Sequence, residues 1–296
     1  MQSLQFSAIS TDPLLLPAWQ EKKIHASVLR LDKLHPEVSG NKFFKLRYYL
    51  EEARRLGKQH IITYGGAWSN HIAATAAACR MDGFSCTGII RGERPAVLSR
   101  TLETAAAMGM KLVFLSRTDF AQQKRTGGPG DANDYIIPEG GYGNTGAAGA
   151  ATITSHTNAD SFTHICCAAG TGTMTAGLLM QANASQQVVS ISVLKNNGSL
   201  EQDILALLEN KNAQPVIFHD YHFGGYAKHT PALLQFMNEW YVHTGIPSDF
   251  VYTGKFFFAI NDLVEKDFFP PGSRLLLIHS GGLQGNASLR KGTLIF

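Results

Sequence analysis

The feature that most restricts this chain is a repeated exchange between two kinds of apolar pattern: runs stepping by three and four residues, and short continuous runs. Phe43, Leu46, Leu50, Ala53 and Leu56 step by three and four, and Gly57 follows as a stop, which describes an amphipathic helix. Residues 60–64 then read as a strand. The exchange recurs with an Ala-rich helix after Ser69, a strand near 86–90, a helix near 98–108 and a strand at 111–115. A second series predicts strands at 165–168, 188–194, 216–218 and 274–278, with helices at 174–184, 200–208, 232–241 and 256–264. Between the two series, Gly127 to Asp134 and Gly140 to Gly149 are rich in turn residues, so a lobe boundary is expected near residue 145. Strands alternating with helices imply an α/β fold with parallel sheets, whose ligands sit at the carboxyl ends of the strands.

The 296 residues are about twice the ~150-residue domain prior, consistent with two lobes. Hydrophobic residues make up 44% and charged residues only 17%, below the ordinary share of about 25%, so part of the surface is expected to be covered by a second copy, most simply as a homodimer. Against 23 acidic residues stand 26 lysines and arginines, a net +3 without any basic block, which gives no footprint for nucleic acid or an anionic membrane. A small molecule is the expected partner. Residues 1–17 show no basic and apolar leader pattern, and no run approaches the ~18 apolar residues of a membrane span, so the chain reads as cytoplasmic. Cys79, Cys86, Cys166 and Cys167 lack Cys-x-x-Cys spacing and include an adjacent pair that cannot easily bridge. They read as small buried hydrophobes, with neither a disulfide framework nor a metal site.

Three loops could carry chemistry. In the first, an apolar strand ends in Ala169-Gly170-Thr171-Gly172-Thr173-Met174-Thr175, a turn that opens a helix. Such a turn aims free N–H groups and hydroxyls at a phosphate, but it is also what any tight strand-to-helix turn looks like. It lacks the third glycine of a dinucleotide fingerprint and the Gly-Lys-Ser/Thr of a P-loop, so a single phosphate fits better than a nucleotide. In the second, Ser39-Gly40-Asn41-Lys42 places Lys42 where a partly desolvated amine could form a Schiff base, with Lys45 one turn on as a competitor and an ordinary solvated charge as the plainer reading. In the third, Gly65 to His71 joins a strand to a helix; Ser69 and Asn70 are natural helix caps, and the same groups could hold a substrate carboxylate. Tyr226 and Tyr252 sit in glycine-containing contexts and read either as aromatic packing or as site residues.

Five ordered blocks carry a resemblance: Ser39-Gly40-Asn41-Lys42 with Lys45-Leu46, Ser69-Asn70-His71, Ala169-Gly170-Thr171-Gly172, Val251-Tyr252-Thr253-Gly254-Lys255, and His279-Ser280-Gly281-Gly282. With these the sequence resembles the pyridoxal-phosphate-dependent 1-aminocyclopropane-1-carboxylate deaminase and D-cysteine desulfhydrase group, over about residues 28–286. The resemblance implies fold type II, of tryptophan-synthase β-like architecture, with a larger cofactor-binding domain of residues 1–43 and 147–296 and a smaller one of residues 44–146. It makes Lys42 the Schiff-base lysine, Asn70 the partner of the cofactor's ring oxygen, and Gly170, Thr171, Gly172, Thr173, Met174 and Thr175 the phosphate cradle. Ser280 would face the pyridine nitrogen. Ser69, Asn70, His71 and Trp68 would border the substrate, and Ser69, Tyr226 and Tyr252 would be catalytic.

The resemblance also bears on the reaction. In the deaminases Glu follows the second tyrosine and Leu follows the histidine of the last block; here these positions are Thr253 and Ser280, the hydroxyl type of the desulfhydrases. A hydroxyl at the pyridine nitrogen weakens the electron sink, which suits loss of a good β leaving group better than opening of a cyclopropane. A D-cysteine desulfhydrase-like β-elimination giving keto acid and ammonia is therefore expected. The alternatives are cyclopropane deamination or cofactor binding without turnover. Trp68 stands where both subfamilies place Gln and is expected to narrow the pocket, and Ala73 stands where desulfhydrases often have Arg.

Overall fold

The computed structural model describes residues 4–35, 37–126, 131–209 and 214–296. The first segments are β1 (Thr11–Leu14), α1 (Pro17–Glu21), β2 (His25–Arg30) and α2 (Asn41–Arg55). There follow β3 (His60–Gly65), α3 (Asn70–Asp82), β4 (Ser85–Arg91), α4 (Arg100–Ala107), β5 (Lys111–Leu115), α5 (Arg117–Thr126) and β6 (Asp134–Ile137). The chain continues through α6 (Asn144–Ala151), β7 (His164–Ala169), α7 (Thr173–Gln181), β8 (Gln187–Ser192), α8 (Leu200–Ala206) and β9 (Val216–Phe218). It ends with α9 (Pro231–Thr244), α10 (Thr253–Glu265) and β10 (Arg274–His279).

Two sheets organise these elements. One has the order β5-β4-β3-β6 and is entirely parallel; the other has the order β1-β2-β10-β7-β8-β9 and is parallel except for the β1–β2 pair. The last strand of the chain thus lies between the second and the seventh. Its residues Leu275, Leu276, Leu277 and Ile278 are fully buried, as a strand covered on both faces requires.

Local chemistry accounts for the boundaries. The Ser69 hydroxyl accepts the Ile72 N–H at 3.4 Å and starts α3, which ends at Gly83 in the left-handed region. Thr230 caps α9 in the same way, with Pro231 as its first helical residue. The apolar stripe of α2 is buried through Phe43, Leu46, Leu50 and Ala53, each large side chain contributing about 2 kcal/mol of transfer free energy.

The helices and strands expected from 43 to 115 and from 165 to 278 are present, with ends shifted by a few residues. The stretch 140–149 differs from expectation. Only its first part is a connection; from Asn144 the chain forms α6, which holds Gly146 and Gly149 and packs against both α2 and α7. A Cβ on Gly149 would fall on the Phe44 carbonyl oxygen, and one on Gly177 would lie 2.6 Å from the Ala147 carbonyl oxygen. Gly140, Gly141 and Gly143 turn the chain at positive φ, while Gly146 and Gly149 serve close helix packing. Gly127 to Gly130, part of the other turn-rich stretch, lie outside the described residues. The antiparallel β1–β2 pair was not anticipated, because short edge strands such as Thr11–Leu14 carry little periodic signal.

The start of α2 is fixed by backbone crossing. Gly40 has φ 64° and ψ −152°, its N–H donates to the Leu31 carbonyl at 3.0 Å, and the Asn41 N–H donates to the Ser280 carbonyl at 3.2 Å. A Cβ on Gly40 would fall on that Ser280 carbonyl. Gly40→Ala should therefore cost clearly more than the ~1–2 kcal/mol of left-handed strain alone. Gly57→Ala, at φ 69° with nothing near its Cβ, should cost only that strain, and urea denaturation of the two variants checks the difference.

Candidate active site

A cavity of about 770 Å³ is bordered by residues of both sheets and their connections. All five ordered sequence blocks supply residues to its lining. Lys42 and Lys45 come from the first turns of α2; Ser69, Asn70 and His71 from the start of α3; Ser280 from the end of β10. Gly170, Thr171, Gly172, Met174 and Thr175 border it from the turn between β7 and α7. Tyr226 and Tyr252 complete this set. Trp68 and Thr173 are not among the lining residues. Trp68 is 39% exposed, and its carbonyl accepts the Tyr226 hydroxyl at 2.8 Å. The Thr173 hydroxyl is buried against that of Thr171 at 3.0 Å.

The two lysines share one environment. Burial pushes the Lys42 amine down to about 8, against the opposing charge of Asp249, and its Nζ lies 3.1 Å from Asn41 Oδ1 and 5.8 Å from the centre of the Tyr252 ring. Burial, and then the charge of Lys42, hold Lys45 well below the ordinary lysine range. Lys45 makes one long contact, 3.4 Å from the Gly140 carbonyl.

His71 is neutral in this setting, because burial and then the nearby lysines disfavour its cation. Its Nε2 meets Thr63 Oγ1 at 2.8 Å, while the Thr63 hydroxyl donates to the Ile137 carbonyl. Nε2 is therefore the donor, and Nδ1 carries the free lone pair. Among the described residues Nδ1 has no partner, and neither has the buried Oδ1 of Asn70. Buried polar atoms are rarely left unpaired, so these two mark a place for a polar ligand.

These features test the fit of a cofactor. Two adjacent amines, unpaired acceptors on Asn70 and His71, and a Gly/Thr turn opening a nine-residue helix suit one compact phosphate anion joined to a polar ring. The residues present fit pyridoxal phosphate.

Two supporting residues received no role in the sequence reading: Asp249 lies outside the quoted blocks, and Lys255 stands within one. Asp249 is fully buried, and its carboxylate accepts the N–H groups of Val251, Tyr252 and Thr253, each at 2.9 Å, and the Thr253 hydroxyl at 2.8 Å. Burial raises its carboxyl, and those four donors oppose the rise. It thereby fixes the segment that carries Tyr252 and occupies the Thr253 hydroxyl, leaving Ser280 as the hydroxyl residue of that pair that lines the cavity. Its position four residues before a helix start, as in a cap, was the available signal.

Lys255, also fully buried, donates to the carbonyls of His222 at 2.9 Å and Gly225 at 2.7 Å. It clamps a loop in which Phe223 and Ala227 adopt positive φ, an unfavourable conformation for either side chain. That loop holds Tyr226 edge-on to Tyr252 at 6.4 Å. Lys255→Met should lower stability by about 2–3 kcal/mol and speed proteolytic cutting between residues 222 and 227, whereas Tyr226→Phe should cost about 1 kcal/mol. Chemical denaturation and limited proteolysis measure both.

Comparison with known proteins agrees with this geometry. The profile of the family described as "Pyridoxal-phosphate dependent enzyme" matches residues 8–281. A Pyrococcus horikoshii protein provisionally named 1-aminocyclopropane-1-carboxylate deaminase is 30% identical over 276 residues, covering 84% of this chain and 81% of its own. An Arabidopsis thaliana protein named bifunctional D-cysteine desulfhydrase/1-aminocyclopropane-1-carboxylate deaminase, mitochondrial, is 27% identical over 282 residues, covering 84% of this chain and 70% of its own. The crystal structure of an ACC deaminase homologue superposes with a TM-score of 0.79 at 27% identity, covering 94% of this chain and 90% of that one. With the family profile running through nearly all of the residues that build the cavity, the chain belongs to the pyridoxal-phosphate dependent enzymes of fold type II.

Proposed function

We propose that this protein is a lyase of small amino acids that removes the α-proton, expels a β-substituent and yields a keto acid and ammonia. One observation carries the reading: a lysine amine lowered to about 8 lies in the same cavity as a phosphate-type turn and two unpaired polar atoms. Lys42 is the residue proposed to join the cofactor, with the Gly170 to Thr175 turn and Lys45 holding its phosphate, Asn70 its ring oxygen and Ser280 its pyridine nitrogen. Bound pyridoxal phosphate supplies an electron sink for the pair left behind at the substrate's α-carbon.

The protein's own groups do the rest. The Ser69 hydroxyl and the first-turn N–H groups of Asn70 and His71, which have no acceptor within the helix, hold the substrate carboxylate. Lys42, half neutral near pH 8, takes the α-proton. The neutral His71 leaves the carboxylate-binding turn without a competing proton donor of its own. Tyr226 and Tyr252, whose phenols burial keeps protonated, border the substrate and exclude water. Residues 44–146 are proposed as a smaller domain that carries the Ser69 turn against the larger one. A homodimer is proposed from the low charged fraction, and a cytoplasmic setting from the four unbridged cysteines. Among the described residues, no helix is long and apolar enough to cross a membrane.

The names of the relatives favour a second reading, deamination of the cyclopropane amino acid. The Ser280 hydroxyl at the cavity wall argues for β-elimination first. D-cysteine or β-chloro-D-alanine should give pyruvate faster than 1-aminocyclopropane-1-carboxylate gives 2-oxobutyrate, and equal or reversed rates would exchange the two readings. A yellow protein that releases neither keto acid would leave cofactor binding without turnover.

Attachment is tested separately from activity. Borohydride reduction of the holoenzyme followed by peptide mass analysis should find the pyridoxyl group on Lys42 and not Lys45, and Lys42→Ala should remain colourless. Because burial lowers the Lys42 amine, the rate at which apo-protein takes up pyridoxal phosphate should rise through a pH near 8, not near the ordinary lysine value of about 10.4.

A further inference from the structure

Among the charged groups of the cavity without a task in the reading above, Arg91 stands beside the substrate-binding turn. Arg91 is the last residue of β4, at the carboxyl end of a parallel strand where ligands of such sheets lie, and it lines the cavity together with Gly66, Ser69 and Tyr226. Its guanidinium stands 5.8 Å from the ring centre of the buried Phe120, and its Nη2 lies 3.6 Å from the point that a Cβ on Gly66 would occupy. The aromatic face holds the planar cation, and the bare glycine leaves room beside it. No carboxylate pairs with Arg91 among the described residues.

The other charges of the lining divide differently. Lys124 is bound to Glu139 at 2.6 Å, and Asp203 accepts the Ser199 hydroxyl at 2.9 Å. Lys42 and Lys45 belong to the start of α2, and Lys195 follows β8 of the six-stranded sheet. Arg91 alone stands on the sheet that leads into the Ser69 turn. Its charge also reaches the Tyr226 phenol, where it opposes the rise that burial causes. In the proposed reading the α-carboxylate takes its donors from Ser69, Asn70 and His71, which leaves the Arg91 guanidinium free for another anionic group.

We propose that Arg91 reads a second oxyanionic group carried on the β-carbon of the substrate, so that this enzyme prefers amino acids whose β-substituent is a sulfate-like or carboxylate-like anion over those with a neutral one. The inference rests on the lyase reading and names its substrate class. For serine O-sulfate, Lys42 takes the α-proton and the Cβ–O bond breaks with its electron pair leaving on sulfate. One water is consumed overall, and the products are pyruvate, ammonium, sulfate and one proton. A planar guanidinium suits such a group bidentately, and it steadies the charge that grows on the departing oxygen.

The test compares serine O-sulfate with β-chloroalanine, in both enantiomers, since both give pyruvate. The wild-type holoenzyme should favour the sulfate in kcat/KM by at least about tenfold, and Arg91→Gln should lower that preference by a similar factor, mostly through KM, with Arg91→Lys between them. Calorimetry on the same holoenzymes supplies a readout without turnover. α-Methylaspartate, which has no α-proton, should bind more tightly than 2-aminoisobutyrate in the wild type and lose that advantage in Arg91→Gln. An unchanged preference in the variant, or equal losses for the anionic and neutral compounds, would overturn the proposal, the latter assigning Arg91 to the α-carboxylate. Tight, Arg91-dependent binding of α-methylaspartate without pyruvate from either substrate would sink the lyase reading and keep the receptor.

Discussion

The contact on which the rest depends is the crossing of two backbones at Gly40 and Ser280. There the segment entering α2 lies against the segment leaving β10, so closely that a single methyl at position 40 would meet the carbonyl it rests on. That crossing locates the first turn of α2, and with it Lys42 and Lys45, at the carboxyl end of the central strand of the larger sheet. The cavity is arranged around an amine whose stem leaves a backbone held in place by main-chain contacts, and such support is what a catalytic group needs.

The same arrangement holds charges in places that cost stability. Lys42, Lys45 and His71 lie near one another with little water to solvate a proton, so their conjugate bases are favoured. An anion in the Gly170 to Thr175 turn would relieve that tension, and an amine near neutrality is what carbonyl attack and proton removal require. Asp249 and Lys255 are different. Their charges are buried, but backbone donors and acceptors surround them, and they spend that interaction on the two segments that present Tyr252 and Tyr226. The site is held by a buried acid and a buried base that do not line it.

How far the sequence disclosed this varies with the range of the interaction involved. The α2 stripe from Phe43 to Ala53 and the runs 165–168 and 274–278 were legible because burial imposes a period on one segment at a time. The Ser69 cap was legible for the same reason: donor and acceptor are three residues apart. The β1–β2 pair was not, since its partners are joined by register and not by pattern. The helix-packing role of Gly146 and Gly149 is not legible, because sequence shows the absence of a side chain but not what presses into the space; Phe44 and Gly177 come from distant segments. Trp68, expected to narrow the pocket by its size, is not among the lining residues, and its carbonyl accepts the Tyr226 hydroxyl.

The sequence by itself determined the α/β class, the helix and strand alternation, and a set of blocks sufficient to name a cofactor and its lysine, because these are properties of residue type and near spacing. Tertiary structure alone decided that Lys42 and Lys45 share one cavity, that Thr253 serves Asp249 while Ser280 lines the cavity, and that Arg91 has no carboxylate partner among the described residues. A group's solvation and its electrostatic partners depend on which distant segments enclose it, and long-range packing sets that enclosure.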